Sequence, residues 1–190
     1  MYQKYNTEAL VLGSRETGES DRVYALFTKD FGLVRARASS VRSEKSLMRY
    51  ALQNYSRANV SLVRGRRGWR AAGAAAIKTA SGDVRGVGAF ARISELVLRL
   101  IHGEEANEYL FAALSEAHDA LTQKKCDAFG TIEIVCVARI LYTLGYISNE
   151  ALSTALFTHT AYTGESLLEA ETMRDKLLSS INKAIAETQL

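Results

Sequence analysis

SDRVYALFTKDFGLVRARASSVRSEKS, Ser20–Ser46, is the stretch whose reading decides the fold. Arg22–Thr28 is an apolar run with strand character, Lys29-Asp30-Phe31-Gly32 a tight turn ending on glycine, and Leu33–Ser39 a second strand, so the two form a hairpin. Successive side chains on a strand point to opposite faces. Val34, Ala36 and Ala38 therefore share a small apolar face suited to a core, and Arg35 and Arg37 share the other. Those two arginines stand about 7 Å apart, roughly the spacing of neighbouring phosphates on an extended nucleic-acid strand. Arg42, Lys45 and Arg49 follow at once in a polar, basic loop.

Working outward, Thr7–Ser14 (TEALVLGS) is a further strand and Arg15–Ser20 a turn. Tyr50–Tyr55 is a transition, and Arg57–Val63 (RANVSLV) another strand. Arg64-Gly65-Arg66-Arg67-Gly68-Trp69-Arg70 is a glycine-punctuated basic turn. Ala71–Ala80 is helical by propensity, but Gly73 and the preceding turn favour a closing strand. About five short strands with no long helix between them predict a five-stranded oligonucleotide-binding (OB) β-barrel.

The rest reads as helical. Ser81–Gly86 is small, polar and glycine-rich, which marks a boundary. Apolar residues recur at helical spacing in Val87–His102, Asn107–Lys124 and Ser166–Thr188, with a short helix expected over Glu150–Phe157. Asp127–Leu144 is apolar on most faces and is predicted to be the central buried helix. The expectation is an α+β chain of two domains: an OB-type barrel over residues 1–80 and an all-α helical domain over residues 81–190.

Charge follows the same division. Residues 1–80 hold fifteen Lys and Arg against six Asp and Glu, a net +9, and residues 81–190 carry −6. Such asymmetry points to a basic module that meets a polyanion. No run of about 18 apolar residues exists to span a membrane. The start, Met1–Glu8, lacks the apolar segment of a secretory signal, so a cytoplasmic protein is expected. Cys126 and Cys136 sit in apolar surroundings without a CxxC or Cys/His cluster, and buried, reduced thiols are expected.

Signals for catalysis are weak. His102, His118 and His159 lack metal-ligand spacing, and the acidic group Glu104, Glu105 and Glu108 suits a helix N-terminus. Glu16, Glu19 and Asp21 are expected to pair with nearby arginines. No phosphate-cradling GxxxxGK[ST] is present. No enzyme activity, cofactor or metal is expected. Around Trp69, by contrast, Arg64, Arg66, Arg67 and Arg70 combine cations for phosphates with a flat ring that can stack on a base. A barrel-core position for the ring is the equal alternative. With Arg35, Arg37, Arg42, Lys45 and Arg49 these residues form the expected nucleic-acid surface, one that reads the backbone more than the sequence.

An ordered set of short pieces resembles the RecO family of bacterial recombination mediators. It comprises Glu8–Leu12, Arg15, Glu19-Ser20-Asp21-Arg22, Leu26-Phe27-Thr28, Phe31–Val34, Ala38, Arg42, Ser46, Ala51-Leu52-Gln53 and Leu62–Arg66, then Leu144-Gly145-Tyr146. The resemblance implies an N-terminal OB fold, a helical C-terminal domain, binding of single- and double-stranded DNA, and annealing of complementary strands. It implies as partners RecR and the acidic tail of single-strand-binding protein (SSB), in loading the RecA recombinase. Arg92, Arg99, Arg139 and Lys176, among apolar stripes, are the candidate cations for that tail. The chain departs from the family at Ser39-Ser40, where a basic-Gly step is usual, in lacking a four-cysteine zinc module, and in a shorter C-terminal half. The rival readings are an OB-type single-strand or RNA-binding regulator without a recombination role, and an enzyme whose site lies in the helical half.

Overall fold

The computed structural model describes residues 3–122, 127–148, 152 and 154–188. It divides into two compact units, Met1–Ser81 with Ser94–Glu108, and Gly82–Ile93 with Tyr109–Leu190.

The first unit is built on five strands and a short helix: β1 (Lys4–Thr17), β2 (Asp21–Thr28), β3 (Gly32–Ala38), α1 (Met48–Ala51), β4 (Arg57–Gly65) and β5 (Gly68–Lys78). They close into a barrel in the order β1-β2-β3-β5-β4, with β4 pairing back to β1. Every pairing is antiparallel except β3 with β5, which run parallel and meet only at Ala36↔Trp69 and Arg37↔Arg70. This is the OB-type barrel expected. The ambiguous alanine-rich segment is its closing strand, because β4 offers it a continuous antiparallel ladder from Gly65↔Gly68 to Arg57↔Lys78.

Alternation sets the inner face, where Val34, Ala36 and Ala38 of β3 meet Tyr24 and Leu26 of β2, all at most 1% exposed. Small residues there let a narrow barrel fill without voids. β1 is longer than its sequence pattern indicates. A bulge between Val11 and Gly13 absorbs one residue and re-aims the strand, so four consecutive residues, Ala9 to Leu12, are buried. The outer side of this region is covered too, and Leu98 approaches Gly13 there. Gly32 ends the β2–β3 turn at φ 62°, and a side chain on it would collide with the Glu105 backbone. Thr28 holds the turn by accepting from Phe31 N–H at 3.0 Å and donating to the Gly32 carbonyl at 3.0 Å.

The helices are α2 (Val84–Leu100), α3 (Glu108–Leu121), α4 (Phe129–Thr143), α5 (Gly164–Thr172) and α6 (Arg174–Glu187), with a 3-10 turn at Ala155–Phe157. Asp83 accepts from the Arg85 guanidinium and from Arg85 N–H at the start of α2, and these bonds, the guanidinium's first, hold its carboxyl below the usual range. α4 is the central buried helix predicted, with Ile132, Val135, Cys136, Ala138, Ile140 and Leu141 buried. Burial pushes the Cys136 thiol up to about 11, keeping it protonated and inert; Cys126 lies outside the described residues.

One predicted helix is two. The segment expected as a single helix over Ser166–Thr188 breaks at Met173, where Thr172 Oγ1 donates back to the Glu169 carbonyl at 2.7 Å, a bond that bends helices. Thr163 caps α5 by accepting from Ser166 N–H, so that helix starts earlier than its apolar stripe suggests. The expected helix over Glu150–Phe157 falls partly outside the described residues, and Ala155–Phe157 is a 3-10 turn. No helix among the described residues is long and apolar enough to cross a membrane.

Candidate nucleic-acid interface

β3 exposes Arg35 and Arg37 on the outer face while their neighbours point into the barrel. The register extends this face sideways. Arg15 on β1 opposes Val23 on β2, Val23 opposes Arg37 on β3, and Arg37 pairs with Arg70 on β5. Strands lie about 4.8 Å apart, so this row crosses the sheet with three arginines in about 15 Å. Arg35, opposite Ala25, stands one step along in the next row. Arg66 and Arg67 form the exposed β4–β5 turn, and with Arg70 they line a cleft of about 240 Å³. Sequence context places Arg15 in a turn instead. What it does not reveal is the bulge, which carries β1 on to Thr17.

The charges on this face differ in availability. Among the described residues the side chains of Arg15, Arg35, Arg66, Arg67 and Arg70 hold no hydrogen bond or ion pair. Arg37 is tied to Asp21, whose Oδ2 accepts from its Nε at 2.8 Å and its Nη2 at 2.6 Å. Asp21 also accepts from Ser40 N–H at 2.8 Å, and this bond and then Arg37 hold its carboxyl below the usual range. Ser40 sits at φ 52°, a left-handed conformation that glycine adopts without strain. Ser40 is the second residue of the Ser39-Ser40 step, where the resemblance leads one to expect a basic-Gly pair.

Arg42 is likewise engaged. It meets Glu16 at 3.2 Å and donates to the Glu19 carbonyl at 3.1 Å, while Arg22 holds the other Glu16 oxygen at 2.9 Å. The Arg22 hydrogen bond and the Arg42 charge keep the Glu16 carboxyl low. Glu16 and Asp21 of the acidic patch thus pair with arginines as expected, whereas Glu19 meets Arg42 only through its backbone carbonyl. Lys45 is exposed in that loop, and Arg49 lies 4.8 Å from the Tyr50 ring.

Trp69 is corrected from the expected surface. It pairs with the inward-facing Ala36 and is 5% exposed. Tyr5 meets it edge-on at 5.6 Å and Phe31 lies 5.3 Å away, so the three rings pack together against the barrel core. Arg64 lies over the Trp69 ring at 5.3 Å and reaches Glu104 at 3.4 Å, so it lids the core more than it faces a ligand.

The four cations expected to receive an acidic tail have separate fates. Arg139 is fully buried and is corrected: its guanidinium donates to the carbonyls of Leu156 at 2.9 Å, Thr160 at 2.6 Å and Ala161 at 3.2 Å, and lies over Tyr162 at 4.6 Å. Arg92 is exposed but clasps Glu133 through two bonds of 2.6 and 2.7 Å. Lys176 is exposed on α6, lining a shallow cleft with Glu171, Arg174 and Asp175, and Arg99 is exposed near the end of α2.

A closed five-stranded barrel with a helix between its third and fourth strands places the first unit in the OB class. Residues 1–74 match the family model described as recombination protein O N terminal. Through that domain the chain is similar to the RecO family. The DNA repair protein RecO of Desulfitobacterium hafniense is 42% identical over 62 residues, which is 33% of this chain and 23% of that protein. That of Pelotomaculum thermopropionicum is 30% identical over 113 residues, 58% of this chain and 44% of the relative. That of Dehalococcoides mccartyi is 37% identical over 62 residues, 33% and 24%. The matches thus span from about a quarter to less than half of the curated relatives' length.

Proposed function

We propose that this chain acts, without catalysis, in bacterial DNA repair and homologous recombination. It binds single- and double-stranded DNA through the barrel's outer face, brings complementary strands together, and helps load the recombinase onto SSB-coated strands. The observation that carries the reading is the set of unpaired arginines, Arg15, Arg35 and Arg70 with the Arg66-Arg67 turn, standing on one OB barrel. In such barrels the second and third strands and the β1–β2 and β4–β5 loops form the oligonucleotide face. Fixed guanidinium groups there neutralise phosphates of two strands and lower the repulsion that opposes pairing. Similarity to proteins named DNA repair protein RecO gives the recombination context.

The contacts with RecR and the SSB tail, and a cytoplasmic location, belong to the same proposal. With Arg139 in the core, Arg92 and Lys176 in one unit and Arg99 in the other remain as separate candidate cations for an acidic tail. The test is annealing of complementary oligonucleotides with and without SSB. Acceleration over the spontaneous rate that persists on SSB-coated strands supports a mediator. Single-strand binding without annealing supports the generic OB regulator, and absence of binding at low salt sinks both.

A further inference from the structure

Beside α1 lies a cleft of about 420 Å³ lined by Glu16, Arg22, Val41, Arg42, Arg49, Tyr50 and Gln53. We propose that it is a subsite for one nucleotide of a single strand, with Tyr50 as the base-stacking platform and Glu16 as a built-in competitor for the phosphate position. The inference rests on the barrel binding nucleic acid, and it names a site that the outer-face arginines do not include.

The ring is exposed for a local reason. α1 is a single turn; it buries Ala51 and sets the following Leu52 into the barrel core, with Met48 packed against that core. Tyr50 is left 53% exposed. Arg49 lies 4.8 Å from its centroid and braces it from one side. A braced flat ring beside cations is the arrangement on which a base stacks. Gln53 on the same wall carries both a donor and an acceptor for a base edge.

The anion position is filled from within. Glu16 gives one oxygen to Arg22 at 2.9 Å and the other to Arg42 at 3.2 Å. A carboxylate spanning two guanidinium groups stands in for the non-bridging oxygens of a phosphate. The arm bearing Arg42 is fixed, since its N–H donates to the Ser20 carbonyl at 3.0 Å. A strand phosphate can displace Glu16 without rebuilding the loop. An acidic peptide would satisfy the same arginines but leave the Tyr50 ring unused, and a duplex keeps its bases stacked away from it. The cleft therefore favours single strands, whereas the outer face holds any polyanion.

The test is fluorescence anisotropy on the full chain with three probes: oligothymidylate, an abasic oligonucleotide of equal length, and a duplex. Y50A should lose about fivefold or more on oligothymidylate, the cost of one stacking interaction, and nothing on the abasic strand or duplex. Y50F should stay within about twofold on all three, since the ring remains. E16Q should bind oligothymidylate and the abasic strand about two- to threefold more tightly, one internal counter-charge having gone. Photocrosslinking of 5-bromouracil oligonucleotide to the unaltered protein should mark the peptide containing Tyr50. Unchanged oligothymidylate binding by Y50A, equal loss on all three probes, weaker binding by E16Q, or a crosslink elsewhere overturns the subsite. If R35A/R70A abolishes binding while Y50A does nothing, only the subsite falls. If the unaltered protein binds none of the probes, the proposed function falls with it.

Discussion

Arg35 in the barrel and Arg139 in the helical unit each follow an apolar residue in sequence, and they end in opposite environments. Arg35 stands on the outer face of a strand whose alternate residues fill the core, and no acid neutralises it among the described residues. Arg139 lies on a helix with most faces covered, and its fork donates to three carbonyls of the 156–161 segment. A strand sorts its residues by parity, so a cation among small apolar neighbours is pushed outward. A helix buried all round has no polar side, so its cation must find acceptors inside. One arginine keeps its charge for a ligand, and the other organises an irregular segment that lacks ladder partners.

The largest expected effect breaks the helical side of this contrast. R139A leaves three carbonyl acceptors without their donor and should cost about 3–5 kcal/mol in denaturant unfolding. R139K, which keeps the charge but not the planar fork, should recover only part of that. If R139A is neutral for stability and instead weakens binding of an acidic tail peptide, the contrast fails. G32A tests the barrel's own fixed point. Its positive φ and the approach of the Glu105 backbone should together cost about 2–4 kcal/mol.

R35A/R70A should change unfolding by no more than about 0.5 kcal/mol, because both side chains are exposed. The same variant should flatten the salt dependence of single-strand binding by about 0.7 for each phosphate it no longer neutralises. D21N frees Arg37 from its acid and should tighten binding slightly; weaker binding would show that Asp21 orients Arg37 for the ligand. The smallest effect is on acid stability. Asp21 and Glu16 titrate below their ordinary 3.8 and 4.5 in the folded chain. Their pairing therefore stabilises the barrel fully above those values and is lost as the pH falls through the lowered ones. Melting temperature should be flat between about pH 5 and 8 on this account and drop below about pH 4.

Much of the barrel is legible in the residues. Period-two patterning marks β3 and β4, β2 is an unbroken apolar run, and the Lys29–Gly32 turn fixes the β2–β3 hairpin. The length of β1 is not, because a bulge interrupts the alternation by which a strand is recognised, and Arg15 is hidden with it. Trp69 is ambiguous in sequence because it abuts a turn, and only its parallel partner Ala36 shows which way it points. The burial of Arg139 does leave a signal that its place among apolar stripes obscures: a single cation in a helix apolar on most faces has nowhere else to go. Tyr50 has none, since a one-turn helix is too short for periodicity to separate its faces.

The β3–β5 pairing that closes the barrel is two residue pairs long and joins segments more than thirty residues apart in the chain. Pairings so distant and so few form late in folding and reopen early, and backbone amides near Ala36 and Trp69 should exchange with solvent ahead of those in the β1–β2 ladder. Arg37 and Arg70 sit across this seam from each other. A polyanion that touches both fastens the strands it lies on, so occupancy of the outer face and closure of the barrel are one linked equilibrium.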